Sequence, residues 1–196
     1  MHTTTLSFAN LHNYGELFAN ILRARKESFI ERNNWDLPEA MGMEYDQYDT
    51  PASRWVAVHD NLGTVYAGVR LTPTIAQCGI YSYMIRDAQN GLLRTIPRNC
   101  LDFRAPMHPN VWEASRVFVA QSTPANMRRQ VHTKLVAEMT ATSRALGIVK
   151  ALALLPANWS RWARRRDLRI ERAGPVLMMD GIDYQAVVLY FSGALH

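Results

Sequence analysis

The sequence has only two cysteines in 196 residues, Cys78 and Cys100, and they form no Cys-x-x-Cys pair. This scarcity argues against a disulfide framework and predicts a protein of a reducing, cytoplasmic compartment. The first residues lack a basic segment followed by an apolar run, so no secretory signal is expected. The longest apolar run, Ala151 to Leu155, is far shorter than the roughly 20 residues needed to span a bilayer. No membrane partner is therefore expected.

Acidic residues are fewer than basic ones, 17 Asp and Glu against 22 Lys and Arg, so the formal net charge is +5. Many basic side chains lie in the second half of the chain: Arg128, Arg129, Lys134, Arg161, Arg164, Arg165, Arg166 and Arg169. Such a series indicates either a docking patch for an acidic partner or an ordinary solvated helix face. No zinc-ligand spacing, RNA-binding aromatic motif or leucine-zipper heptad accompanies it, so nucleic acid is not expected as a partner.

The apolar fraction of 48% is typical of a folded globular protein, and the length fits one domain over residues 1–196. Hydrophobic periodicity predicts a helix over 16–30, a hairpin over 54–71 and a strand over 111–120. A second helix is predicted after Thr123 and Pro124 and ends at Gly147. A buried strand over 149–155, a short helix through Trp159 and Trp162, and a hairpin over 174–191 follow. The remaining stretches have no sustained period and are interpreted mostly as loops, although IYSYMIRDAQNGLL, residues 80–93, is also compatible with a short strand followed by a helix. This order predicts an α/β protein with a central mixed sheet flanked by helices.

Charged residues occur where apolar residues are expected. Arg25 falls inside the apolar stripe of the first helix, and Arg70 ends a strand. Glu113 and Arg116 lie inside the strand-like stretch VWEASRVFVA. Removing one partner of a buried ion pair costs about 3–5 kcal/mol, so such side chains must meet one another or a ligand.

The stretch MEYDQYD, residues 43–49, adds Asp46 and Asp49 within a predicted loop. Three arginines then balance three carboxylates, and two interpretations stay open: a neutral structural network, or a ligand site. Residues 113 and 116 would point to opposite faces of a regular strand, whereas a β-bulge near Ala114 or Ser115 would change that.

These motifs carry a resemblance to a known family. The stretches LRARKESFIERNNWDLP, MEYDQYD, GVRLTPT and VWEASRVFV resemble, in order, those of the acyl-homoserine-lactone synthases, the autoinducer synthases of bacterial quorum sensing. The matching residues are Arg25, Phe29, Trp35, Asp46, Asp49, Arg70, Glu113 and Arg116. The match is firm over 22–74 and 111–120. Between Thr74 and Trp112 the chain is longer than many members, and no family residue is carried over there.

The resemblance implies a three-layer α-β-α sandwich with a twisted mixed sheet, the N-acetyltransferase-like (acyl-CoA N-acyltransferase) fold. It also implies a bacterial acyltransferase that makes N-acyl-homoserine lactone and releases methylthioadenosine. S-adenosylmethionine would be a substrate and not a cofactor, and an acyl thioester on acyl carrier protein or coenzyme A (CoA) would supply the chain. No prosthetic group or metal is implied, and the oligomeric state is left open.

The resemblance also implies roles for particular residues. The catalytic set would be Glu113, Arg116, Arg70, Arg25, Asp46 and Asp49. Glu113 is the candidate general base, and its alternative role is a structural partner of Arg116. The MEYDQYD stretch would cover the adenosylmethionine site, with its two aspartates held by Arg25 and Arg70.

Two further sets concern binding. The adenosylmethionine site would comprise Phe29, Trp35, Asp46, Arg70 and Ser115. Aromatic faces attract a sulfonium cation, although core packing also explains Phe29. The candidates for docking the acyl carrier are Arg128, Arg129, Lys134 and Lys150.

Two rival functions remain at this point. A general N-acetyltransferase using acetyl-CoA would be expected to have a glycine-containing pyrophosphate turn at a helix start, and the corresponding stretch QSTPANMRR has no glycine. A non-catalytic protein that binds adenosylmethionine or a carrier protein could have the same charges, and only turnover would distinguish it.

Overall fold

The computed structural model describes residues 1–160 and 169–191. The strands are β1 (His2–Leu6), β2 (Glu39–Ala40), β3 (Met43–Glu44), β4 (Arg54–His59), β5 (Val65–Pro73), β6 (Val111–Val119), β7 (Lys150–Pro156), β8 (Arg169–Met179) and β9 (Ile182–Tyr190). The helices are α1 (Leu17–Arg25), α2 (Met84–Gln89) and α3 (Arg128–Ala145), with a 3-10 turn at Leu11–Asn13 and a π-helix at Lys26–Glu31.

Seven of these strands form one sheet in the order β1-β4-β5-β6-β7-β9-β8. Strands β6 and β7 pair in parallel, whereas β1 with β4, β4 with β5, β7 with β9, and β8 with β9 pair antiparallel. The sheet is therefore mixed, as the sequence predicted. The short strands β2 and β3 pair separately.

The chain divides into two compact units, and the first comprises Met1–Leu71 and Arg116–Thr142. Its apolar core gathers Leu6, Leu17, Ile21, Ala24, Phe29, Trp55, Ala57, Val65 and Phe118. Strand β1 is tied to α3 by polar contacts, since the hydroxyls of Thr3 and Thr5 donate to the Glu138 carboxylate at 2.8 and 3.1 Å. Helix α1 and the β1-β4-β5 strands thus share one core.

The second unit comprises Thr72–Ser115 and Ser143–His196. Its core includes Tyr83, Ile85, Ala88, Ile96, Cys100, Leu101, Leu152, Ala173, Leu177, Ala186 and Val188. Helix α2 therefore packs its apolar side into a core that also contains residues of β7, β8 and β9. The expectation of one synthase domain over residues 1–196 stays a prediction.

Three elements lie where the sequence analysis predicted none or left the assignment open. Strand β1 has no alternating apolar pattern, since its middle is three threonines, and it is held by pairing with β4. The predicted loop before β4 contains the β2-β3 hairpin, whose turn residues Met41 and Gly42 both have positive φ (54° and 77°), as a type I′ turn requires. The third element is α2, in the stretch interpreted mostly as loop, where a short strand followed by a helix was the open alternative.

Helix ends follow the sequence in part. Gly147 has φ 68°, which confirms the predicted left-handed end after α3. Helix α3 begins at Arg128 and not directly after Thr123, and the Thr123 hydroxyl donates to the Tyr66 carbonyl at 3.1 Å. The first helix ends as α-helix at Arg25 and continues as the π-helix.

Several sequence-based assignments concern residues outside the described part of the chain. These are the basic residues Arg161, Arg164, Arg165 and Arg166, together with Trp162 of the predicted short helix. Within residues 1–160 and 169–191, no helix is long and apolar enough to cross a bilayer.

Candidate active site

Six buried charged side chains of the first unit form a closed ring in which the sign of the charge alternates. The order around the ring is Arg25, Glu44, Arg116, Asp46, Arg70, Asp49 and back to Arg25. The corresponding shortest N to O distances are 2.5, 3.0, 2.8, 2.5, 3.1 and 2.8 Å. Each arginine thus contacts two carboxylates, and each carboxylate contacts two arginines.

The arginines reach the ring from three different elements. Arg25 is the last residue of α1, and the π-helix begins directly after it. Arg70 lies in β5 and Arg116 in β6. Arg116 has φ 54°, in the left-handed region that a bulky side chain rarely adopts, so the regular alternation of β6 is interrupted there. This left-handed backbone is next to Ala114 and Ser115, the residues at which a β-bulge would have changed the direction of the side chains.

The carboxylates come from one short stretch. Glu44 ends β3, and Asp46 and Asp49 lie in the turn that follows. The Asp49 carboxylate accepts from the Asp46 amide at 2.9 Å and from the Trp55 indole N–H at 2.9 Å, and the Tyr48 amide donates to Asp46 at 2.9 Å. The turn is therefore fixed both by its own backbone and by β4.

Opposite charges outweigh burial at these carboxyl groups. Burial alone raises the pKa of Asp46, but the cations of Arg70 and Arg116 bring it below its ordinary value. Burial likewise raises the pKa of Asp49, and Arg70 and Arg25 together bring it far below that value. For Arg25, burial lowers the pKa, and the Asp49 carboxylate outweighs this effect, so the net direction is upward. All three groups are charged at neutral pH.

This arrangement predicts a dependence of stability on acid. Because both aspartates have a lower pKa in the folded protein, their contribution is complete above about pH 4, the ordinary aspartate value, and decreases below it. We expect the free energy of unfolding, measured by urea titration, to fall as the pH is lowered through this value. The fall should be less steep in Asp49→Asn, while Asp36→Asn at an exposed position should behave like the unmodified protein. Equal slopes for all three proteins would contradict the ring's role.

Aromatic side chains pack next to the arginines of the charged ring. Phe29 and Trp35 stack on each other with centroids 5.2 Å apart and planes 10° apart. The Arg116 guanidinium lies 5.6 Å from the Phe29 centroid, and that of Arg70 lies 5.6 Å from the buried Tyr48 ring. A flat or cationic ligand at this stack would contact Trp35 rather than Phe29, because Phe29 is buried among Trp35, Arg116 and Phe118.

Glu113 makes its described contacts within the second unit. Its carboxylate is fully buried and accepts hydrogen bonds from the Ile85 and Met84 amides at 2.8 and 3.2 Å. The carboxylate that completes the ring of the first unit is Glu44, which the sequence analysis did not include among the site residues. The sequence did contain an indication that Glu44 belongs to the ring. Glu44 and Asp46 are two residues apart, so their side chains would lie on the same side of an extended segment.

The remaining predicted site residues differ in their exposure to solvent. Ser115 is buried in β6. Arg128 and Arg129 are exposed at the start of α3, and Lys134 and Lys150 are half-buried. The Arg128 guanidinium donates to the Thr123 and Gln121 carbonyls at 3.2 and 3.1 Å, which ties it to the turn before α3. Among the described residues no group of His, Cys, Asp and Glu is arranged to hold a metal ion.

Sequence comparison places these motifs in a family. The family model described as autoinducer synthase matches residues 9–190. An acyl-homoserine-lactone synthase of Ralstonia solanacearum is 30% identical over 168 residues, which cover 83% of this chain and 76% of the relative. One of Acinetobacter nosocomialis is 26% identical over 185 residues, which cover 91% and 94%.

Solved structures agree in fold. The chain matches a CoA-dependent acyl-homoserine lactone synthase, BjaI, solved with SAM and isopentyl-CoA, with a TM-score of 0.77 and 20% identity, over 96% of this chain and 82% of that one. It matches TofI, in a complex with an inhibitor and MTA, with a TM-score of 0.74 and 23% identity over 97% and 92%. An acyl-CoA N-acyltransferase from Pseudomonas aeruginosa matches with a TM-score of 0.59 at 13% identity over 95% and 97%.

The chain therefore belongs to the autoinducer synthase family. It is an enzyme of the acyl-homoserine-lactone synthase type on an N-acyltransferase-like fold. The sequence-based identification of the family, the fold class and the enzyme class is confirmed.

Proposed function

We propose that this enzyme joins the acyl group of a thioester to S-adenosylmethionine and closes the product to an N-acyl-homoserine lactone, with release of methylthioadenosine. The observation that carries the proposal is the buried, alternating ring of three arginines and three carboxylates beside stacked aromatic rings. Adenosylmethionine carries a carboxylate, an amine and a sulfonium, so a site that offers both signs of charge and an aromatic face matches its chemistry. The relatives solved with SAM or MTA support the same substrate.

The first step forms an amide. The α-amine of adenosylmethionine attacks the thioester carbonyl, the carbon–sulfur bond breaks, and the amine proton leaves while the thiol takes up a proton. An α-amino group titrates near pH 8, so only a minority of the amine is neutral at pH 7, and a modest positioned base is enough to take up its proton during the attack. We assign this role to Glu113, whose carboxylate is buried and fixed by two backbone amides.

The second step closes the lactone. A carboxylate oxygen of the acylated substrate attacks the γ-carbon, and the bond from this carbon to the sulfonium breaks, which leaves neutral methylthioadenosine. The sulfonium is already a good leaving group, so the enzyme contributes chiefly by holding the substrate in a folded shape. Arg70 and Arg116 are the arginines that we assign to the substrate carboxylate, and Asp46 lies between them.

The acyl donor is a thioester of acyl carrier protein or of CoA, and both carry negative charge. We assign its docking to Arg128, Arg129, Lys134 and Lys150. A cytoplasmic location suits these substrates and also the two free thiols, Cys78 and Cys100. The product makes the protein a source of a quorum-sensing signal.

The experiment that tests the proposal is a product assay. Purified protein incubated with adenosylmethionine and a set of acyl-carrier-protein and acyl-CoA thioesters should release methylthioadenosine and acyl-homoserine lactone in equal amounts, as measured by liquid chromatography and mass spectrometry. A general N-acetyltransferase would consume acetyl-CoA with an amine acceptor and release no methylthioadenosine. A regulatory binding protein would bind adenosylmethionine without any turnover. Either of these results from folded protein would overturn the proposal.

A further inference from the structure

The stretch between β5 and β6 contains a structure that bears directly on Glu113. One Glu113 carboxylate oxygen accepts from the Ile85 amide at 2.8 Å, and the other accepts from the Met84 amide at 3.2 Å. Met84 and Ile85 are the first two residues of α2, whose amides have no partner within the helix itself. The two donors and the two oxygens are therefore matched one to one.

Helix α2 is itself firmly anchored. The side chains of Tyr83 and Ile85 are fully buried in the core of the second unit, and the Tyr83 hydroxyl donates to the Pro106 carbonyl at 2.7 Å. Immediately before the helix, the Ser82 amide and hydroxyl donate to the buried Asp87 carboxylate at 2.9 and 2.8 Å. The start of α2, and with it the direction of both amides, is fixed from two sides.

We propose that the amides of Met84 and Ile85 position Glu113 and keep its buried carboxylate ionised. The start of α2 would then fix both the orientation and the protonation state of this base. Burial by itself favours the neutral form of a carboxyl group, whereas hydrogen bonds from amides favour the carboxylate. A carboxylate oxygen has two lone pairs, so one amide hydrogen bond to each oxygen does not by itself exhaust the capacity of Glu113 to accept a proton or a hydrogen bond from the substrate amine. This inference rests on the role proposed above for Glu113.

Two titratable neighbours of Glu113, the Tyr83 hydroxyl and the Cys100 thiol, do not ionise in the acid range. Burial raises the pKa of the Tyr83 hydroxyl far above its ordinary value, and the Glu113 carboxylate raises it further; Arg86 opposes this increase and Asp87 adds to it. Burial also raises the pKa of the Cys100 thiol, and Glu113 adds to that increase. Both groups are therefore neutral at and below neutral pH. The carboxylates at the start of α2 are Glu113 and the buried Asp87, so the Glu113 transition is identified as the one that is lost in Glu113→Gln.

Two substitutions of Met84 distinguish the effect of its backbone amide from the effect of its side chain. Met84→Ala keeps the N–H and removes only the thioether chain, whereas Met84→Pro also removes the N–H. Proline is well tolerated at the first helical position, and Tyr83 before it already has the extended conformation that proline favours, with φ −136° and ψ 156°. The two variants thus differ chiefly in one hydrogen bond to Glu113.

The readout is the Glu113 carboxyl resonance in a ¹³C NMR pH titration, assigned by its absence in Glu113→Gln. We expect the midpoint to be higher in Met84→Pro than in Met84→Ala by about one pH unit, the shift that the loss of one hydrogen bond to a carboxylate would produce. The acidic limb of the pH profile of kcat/KM should move by the same amount. Equal midpoints in the two variants would overturn the proposal.

A second measurement needs no proline variant. In the unmodified protein the ¹H and ¹⁵N shifts of the Met84 and Ile85 amides should follow the Glu113 midpoint, and this response should vanish in Glu113→Gln. Amides that do not respond would overturn the inference even if Met84→Pro fails to fold. Neither NMR measurement depends on turnover. A correct titration with no lactone formation would therefore count against the proposed function and leave the positioning of Glu113 intact.

Discussion

Replacing Glu113 by glutamine is expected to lower kcat for lactone formation by about a hundred- to ten-thousandfold, the usual contribution of a positioned general base. Glutamine keeps the volume of the side chain but cannot take the proton of the substrate amine. The rate of methylthioadenosine release at saturating adenosylmethionine measures the effect, and isothermal titration of adenosylmethionine shows whether binding is retained.

Two controls accompany the Glu113→Gln variant: a second variant and a measurement of stability. Glu171→Gln, at an exposed position of the same unit, is expected to leave kcat unchanged. Thermal unfolding is recorded as well, because the NH₂ group of a glutamine would face one of the two amides that now donate to Glu113. If Glu113→Gln keeps full activity while Met84 and Ile85 still surround it, another group must be the base.

Truncating Arg25 to alanine is expected to lower the free energy of unfolding by about 3–5 kcal/mol. The substitution opens the ring at one point and leaves Glu44 and Asp49 buried with one arginine partner each. Urea unfolding at neutral pH measures the loss, and two spectroscopic probes followed together show whether the transition stays two-state.

Helix α1 supplies its own matched control for Arg25. Arg23 lies two residues earlier and pairs with Glu16 at 3.0 Å, but its side chain is 44% exposed. An exposed pair of this kind contributes at most about 1 kcal/mol, so Arg23→Ala should change stability far less than Arg25→Ala. Similar losses for the two variants would mean that the ring stabilises the fold no more than a surface ion pair does.

The sequence carried enough information for most of the sheet, because the signals there are local. The β4-β5 hairpin, β6, β7 and the β8-β9 hairpin all show the apolar runs and turn residues that such strands require. Arg25 was recognisable as a site residue because it interrupts an apolar stripe, and this signal also lies within one helix. What the sequence specifies locally, a single-sequence analysis can recover.

The features that escaped prediction depend on contacts far along the chain. Strand β1 is mostly threonine, and only the pairing with β4 and the contacts to Glu138 hold it as a strand. Glu44 looked like one more polar loop residue, because its two arginine partners lie 19 and 72 positions away. Met84 and Ile85 lie 29 and 28 positions from Glu113 along the chain, and they bind it through backbone amides. Because every residue type except proline has such an amide, the sequence gives no sign of this contact.

The distances along the chain between the ring members also bear on how the protein folds. Arg25 and Arg116 belong to the two separate segments of chain that make up the first unit, yet both bind Glu44. An arginine enclosed before its carboxylates arrive would have lost its hydration without compensation. The six side chains should therefore stay hydrated in partly folded chains and become enclosed together. This makes the ring a late, all-or-none event in folding, reached only after the long-range pairing of the strands.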